Sequence, residues 1–134
     1  MPSPALALWH DIVEKEDAAA LDRLLAEDVV FHSPVVHTPQ QGKAMTTLYL
    51  EAAMRVLGAG GFHYLREVCG EREAILEFSS QIDGIEINGV DIIEWNDQDQ
   101  ITDFKVMIRP LKAINLVHQK MGEALQALVA EKQG

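Results

Sequence analysis

Apolar residues recur at three- and four-residue intervals near both ends of the chain and at two-residue intervals in between, which predicts helices on either side of a sheet. From Pro4 to Lys15, Leu6, Trp9, Ile12 and Val13 keep helical spacing, with Ser3 as the cap and Pro4 in the first turn. Asp17 is placed to cap a short second helix in which Leu21, Leu24 and Leu25 form the apolar face, opposite Asp22, Arg23 and Glu27. Val29 to His32 reads as a short strand closed by Ser33-Pro34, because proline has no N–H for a ladder. After a loop from Val35 to Gln41, Gly42 precedes a third helix with Met45, Leu48, Tyr49, Ala52 and Val56 on one side. Gly58-Ala59-Gly60-Gly61 ends that helix; its spacing is not that of a dinucleotide-binding turn.

From Phe62 to Arg109 the period is two, with breaks at Gly70-Glu71, Asp83-Gly84 and Asn96 to Gln100, so four strands follow one another as hairpins. Pro110 opens a last helix, over 110–132, with Leu111, Ile114, Met121, Leu125 and Leu128 as its apolar stripe around His118. Helices packed on one face of an antiparallel sheet make an α+β fold, and residues 1–134 form one domain.

Strand parity assigns the sheet faces. In Ile85 to Trp95, Glu86, Asn88 and Glu94 share the wet face, which turns Ile85, Ile87, Asp91, Ile93 and Trp95 inward. Asp91 therefore stands in an apolar row. Phe104, Val106 and Ile108 point inward from the last strand, and Leu76, Phe78 and Ser80 from an earlier one. A carboxyl so placed loses hydration, its pKa rises, and near neutral pH it is a neutral hydrogen-bond donor. The alternatives are a carboxyl bonded to backbone or to Trp9 that only fixes the fold, or one paired with Arg109 curling over the sheet edge. On the other face, Ile75, Val90, Ile92 and Met107 would stay wet in a monomer, so a homodimer through that surface is expected.

Composition narrows the function. The chain has 11 Lys and Arg against 21 Asp and Glu, a net charge of -10, and this field repels nucleic acid and anionic membrane surfaces. Ten acids against Arg72 alone lie between Glu71 and Asp103, a solvated sheet surface. With 48% hydrophobic residues the chain is globular, and no apolar stretch is long enough to span a bilayer. One cysteine, Cys69, and an N-terminus without a basic leader segment predict a cytoplasmic protein. The histidines His10, His32, His37, His63 and His118 lack metal-ligand spacing, so no metal and no cofactor is expected. His37 borders the loop before the third helix but reads as a surface residue. Cys69 has no histidine at a telling distance and no GxSxG occurs, which argues against nucleophilic catalysis.

The runs EDAAALDRLLAEDVVFHSP and GVDIIEWNDQDQITDFKV, with the element order around them, resemble the nuclear-transport-factor-2-like superfamily, which includes SnoaL-like cyclases and ketosteroid isomerases. The resemblance covers roughly Pro4 to Pro110. It implies a cone, a curved antiparallel sheet wrapped on N-terminal helices with a pocket between them, often dimeric through the sheet, and here with an additional C-terminal helix. Carried over position by position, the isomerase's general base falls on Ser33 and its oxyanion tyrosine on Trp9, an N–H donor that does not titrate as a phenol does. Asp91 matches its protonated oxyanion-hole acid. The last-strand acid of the superfamily's epoxide hydrolases and cyclases falls on Val106.

Three functions are compatible with these residues. One is a cofactor-free pocket protein for an apolar or aromatic small molecule, held by Trp9, Phe31, Ser33, Met45, Tyr49, Phe78, Ile93, Trp95, Phe104 and Val106. Another is an isomerase, cyclase or hydrolase with Asp91 as a neutral catalytic acid. The third is a dimerisation module whose pocket is filled by its own side chains. The terminal helix either caps the pocket or pairs two subunits.

Overall fold

The computed structural model describes residues 3–133. Helix α1 spans Pro4–Lys15, with the Ser3 hydroxyl accepting from Leu6 N–H at 3.0 Å. A 3-10 turn, Ala18–Ala20, runs into a single helical turn, α2, Leu21–Leu24. Strand β1 follows at Leu25–His32, β2 is only Gln40–Gln41, and α3 spans Lys43–Gly58. The hairpin strands are β3, His63–Cys69; β4, Glu73–Ile82; β5, Ile85–Trp95; and β6, Ile101–Arg109. Helix α4 spans Leu111–Gln133.

The six strands form one curved, unclosed sheet in the order β2-β1-β6-β5-β4-β3. Neighbours are antiparallel except β1 and β6, which are parallel; α3 and four strands, β2 to β5, lie between them in the chain. The inner face carries Leu76, Phe78, Ile87, Ile93 and Phe104, each at most 1% exposed, against Leu6, Trp9 and Ile12 of α1 and Leu50 and Leu57 of α3. Gly89 is required here: a Cβ on it would lie 2.5 Å from the Phe78 ring and 2.5 Å from the Met107 carbonyl oxygen.

Strand parity from the sequence places the inner residues of β4, β5 and β6 as observed. Five local expectations differ. The Asp17 side chain makes no capping hydrogen bond, and Leu25 starts β1 four residues before Val29, because pairing with Ile101 draws it into the sheet. The loop before α3 contributes a two-residue strand through Val30–Gln41 and Phe31–Gln40 pairing. The buried side of α3 is Thr46, Leu50, Ala52 and Leu57, leaving Met45 39% exposed, since α3 packs against β1 and α4 together. The buried stripe of α4 is Ala113, Val117, Met121 and Leu128, while Leu111 is 72% exposed and His118 is on the wet side. Helix α4 packs against α3, β5 and β6 together, and it is Ala113 and Val117 that face them.

On the outer face Ile75 is 44% and Met107 52% exposed, with Val90 and Ile92 half-buried. Arg109 turns to this side and donates to Asn88 Oδ1 at 3.3 Å, so it does not pair with Asp91.

Candidate ligand-binding site

Asp91 sits mid-way along β5, between Leu76 on β4 and Val106 on β6, and its residue surface is 5% exposed. Its partner is a residue that parity reasoning did not single out. Tyr64, on edge strand β3, donates its hydroxyl to Asp91 Oδ2 at 2.5 Å and accepts the Trp9 Nε1–H at 2.9 Å. The three side chains form one chain of bonds from helix α1, through β3, to the middle of the sheet.

A register break in β3 makes this geometry. Tyr64 pairs with Phe78 and Arg66 with Glu77, so Leu65 is an extra, unpaired residue in the β3 strand. Without the bulge, Tyr64 and Arg66 would share a face. With it, Tyr64 points inward while Arg66 pairs with Glu77 outside, and Glu67 returns to the inner side to meet His10 Nε2 at 2.6 Å. The Tyr64 ring is held edge-on by Phe62, at a centroid distance of 5.1 Å, and by His10, at 5.5 Å.

Burial among apolar side chains pushes the Asp91 carboxyl from 3.8 up to about 7, against the opposing effect of the Tyr64 hydrogen bond. Burial first, and then the neighbouring Asp91 carboxyl, hold the Tyr64 phenol well above its ordinary range. Asp91 is therefore largely neutral at slightly acid pH, and Tyr64 keeps its proton throughout the physiological range. Asp91 Oδ1 has no hydrogen-bond partner among the described residues, although Asp91 lines a cavity.

That cavity has a volume of about 450 Å³. Its walls are Trp9, His10 and Val13 of α1; Phe31 and Pro34 at the end of β1; Leu50, Ala53, Met54 and Leu57 of α3; Phe62 and Tyr64; Phe104, Val106 and Ile108 of β6; and Val117 and Met121 of α4. The exposed members of the lining, Glu14, Glu16, Gly58 and His63, gather where the C-terminal ends of α1 and α3 meet the start of β3. Two helix C-termini and two glutamates give this rim negative potential. No lysine or arginine is among the lining residues. Among the described residues no group of three or more His, Cys, Asp or Glu side chains is placed to hold a metal ion. Among the described residues no helix is long and apolar enough to cross a membrane.

A family comparison decides the classification, since the SnoaL-like domain profile matches residues 6–104. The chain belongs to the SnoaL-like family. Among solved structures, this SnoaL-like protein is similar to a steroid delta-isomerase from Pseudomonas aeruginosa, 34% identical, over 94% of this chain and 92% of that one, with a TM-score of 0.89. It is similar also to an uncharacterized bacterial protein with a cystatin-like fold from Silicibacter pomeroyi, 29% identical over 95% and 86% of the two chains, TM-score 0.81. The epoxide hydrolase/cyclase-like enzyme SalBIII, 14% identical over 78% and 88%, TM-score 0.63, shares the fold. No curated protein gives a significant match.

Of the residues singled out from the sequence of this SnoaL-like protein, Asp91, Trp9, Phe31, Phe104 and Val106 come together on the cavity wall. Six others lie off the lining. Ser33 accepts from Val35 N–H at 3.2 Å within the loop after β1, Met45 faces solvent, and Tyr49 stacks behind Phe31 at 5.6 Å. Phe78 is fully buried beneath Phe62, while Ile93 and Trp95 are on the inner face, toward the β5–β6 turn. Tyr64 and the α3 and α4 wall were missed. The aromatic alternation Phe62-His63-Tyr64 carried a usable signal for the former; nothing in the pattern of α4 pointed to a cavity.

Proposed function

We propose that this SnoaL-like protein binds a neutral, largely apolar small molecule bearing one carbonyl or hydroxyl oxygen, which is received by Asp91. The observation that carries this reading is the buried Asp91 carboxyl, bonded to Tyr64 and through it to Trp9, in a mainly apolar cavity of about 450 Å³ whose other carboxyls, Glu14 and Glu16, are at the rim. That volume lies within the usual range for small-molecule sites, roughly 300–1,000 Å³. It gives no support to a pocket filled by its own side chains. Protonated Asp91 accepts from Tyr64 at Oδ2 and offers the Oδ1 proton to the ligand oxygen. A carboxylate ligand is disfavoured, because it would pass the negative rim and meet an acid with no cation beside it.

The test is ligand binding against pH. For a straight-chain methyl ketone of about ten carbons, affinity is expected to be flat below pH 7 and to fall about tenfold per pH unit above it as Asp91 loses the donated proton. Asp91→Asn keeps a donor and is expected to bind with flat pH dependence, while Asp91→Ala binds about tenfold more weakly. A wild-type affinity independent of pH, or equal affinity for the alkanoate of the same length, would refute the assignment.

A second reading, proton-transfer isomerisation of a ligand ketone, is favoured by the likeness to the Pseudomonas aeruginosa steroid delta-isomerase. It needs a base. The residue before Pro34 is Ser33, whose oxygen is already engaged by Val35 N–H, and the other lining carboxylates, Glu14 and Glu16, are at the rim. Incubation with an unconjugated steroid ketone, followed by absorbance of the conjugated product, tests it; no turnover above buffer would remove it.

A further inference from the structure

The SnoaL-like match ends at residue 104, before α4, yet α4 supplies part of the cavity wall. Its buried stripe divides in two. Ala113 and Leu128, near the two ends, are 0% and 1% exposed and do not line the cavity, whereas Val117 and Met121 do, at 2% and 7%. The latter pair are four residues apart, one above the other on the same helix face.

Packing and charge hold this face in place. The helix starts with Ala113 and Ile114 N–H bonded to the Pro110 carbonyl, at 3.0 and 3.1 Å. At its far end Glu131 receives both terminal nitrogens of Arg55 on α3, each at 2.9 Å, and Lys132 lies 3.7 Å from Glu51. Lys120 reaches Asp83 in the β4–β5 turn at 3.6 Å. Bonded at both ends and packed on α3, β5 and β6, the middle of α4 forms part of the wall of the cavity that Asp91 also lines.

We propose that Val117 and Met121 are specificity-determining residues that set the length of ligand the cavity accepts, with the ligand oxygen fixed at Asp91 and the apolar tail ending against α4. This rests on the ligand reading given above. Each methylene that remains buried adds about fourfold to affinity, so affinity rises along a homologous series until the tail meets the wall, and then drops.

The experiment uses methyl ketones of six to fourteen carbons, titrated calorimetrically into the full-length protein at pH 6. Wild type is expected to show an optimum length. Met121→Ala removes three heavy atoms from the wall and is expected to move the optimum two or three carbons longer. Val117→Phe is expected to move it shorter. Leu128→Ala, a buried truncation in the same helix away from the cavity, lowers stability and leaves the optimum unchanged. An unchanged optimum in Met121→Ala, or an equal move in Leu128→Ala, overturns the proposal while leaving the ligand reading in place. Failure of wild type to bind any member of the series overturns both.

Discussion

Replacing Asp91 by asparagine should stabilise the protein, and increasingly so as pH rises. The amide has the shape of the neutral acid, accepts the Tyr64 hydroxyl and never ionises. In wild type the folded carboxyl titrates near 7 and the unfolded one near 3.8. Below the lower value both states are protonated and ionisation contributes no difference. Between the two values the unfolded chain has released a proton that the folded chain keeps, so raising the pH favours unfolding. Above the folded value the loss is complete. At roughly 1.4 kcal/mol per pH unit, the full penalty is about 4 kcal/mol. From pH 5 to pH 8 the gap between Asp91→Asn and wild type should widen by roughly 3 kcal/mol, a large fraction of an ordinary domain's stability. Urea denaturation of both proteins across that range measures it, since the difference between the two curves cancels every other titrating group. A gap that stays constant, or that grows toward acid, would show that Asp91 is ionised in the fold and would remove the neutral-donor chemistry.

Two further outcomes follow from the same geometry. Tyr64→Phe removes the hydrogen bond that opposes burial, so the apparent pKa of Asp91, read from its carboxyl carbon by NMR, should rise above the wild-type value; it should also cost about 1–3 kcal/mol by leaving the Trp9 N–H without its acceptor. A pKa that falls in this variant would contradict the bonding. The exposed Ile75 and Met107, with half-buried Val90 and Ile92, lead us to propose a homodimer through the outer sheet face: light scattering at micromolar concentration should give twice the chain mass, Met107→Lys should give a monomer, and a monomeric wild type would sink the idea.

The local pattern determined the elements. Ser3-Pro4 marked the start of α1, the two-residue alternation marked β4 to β6, and one acid in phase with Ile85, Ile87, Ile93 and Trp95 located the buried carboxyl. Such signals are legible because side-chain direction along a regular helix or strand depends only on residue spacing. What lay outside them was decided by contacts between distant segments. Leu25 belongs to a strand because β6 pairs with it, and α3 and α4 bury broader or rotated faces because each packs on more than one neighbour. The partner of Asp91 was hidden for another reason: a one-residue bulge at Leu65 separates Tyr64 from the phase of the residues after it, and the two groups that meet at 2.5 Å are 27 positions apart. The cavity itself has no sequence period, because it is the space left where three helices and a curved sheet fail to touch, and only the tertiary structure decides which side chains border it.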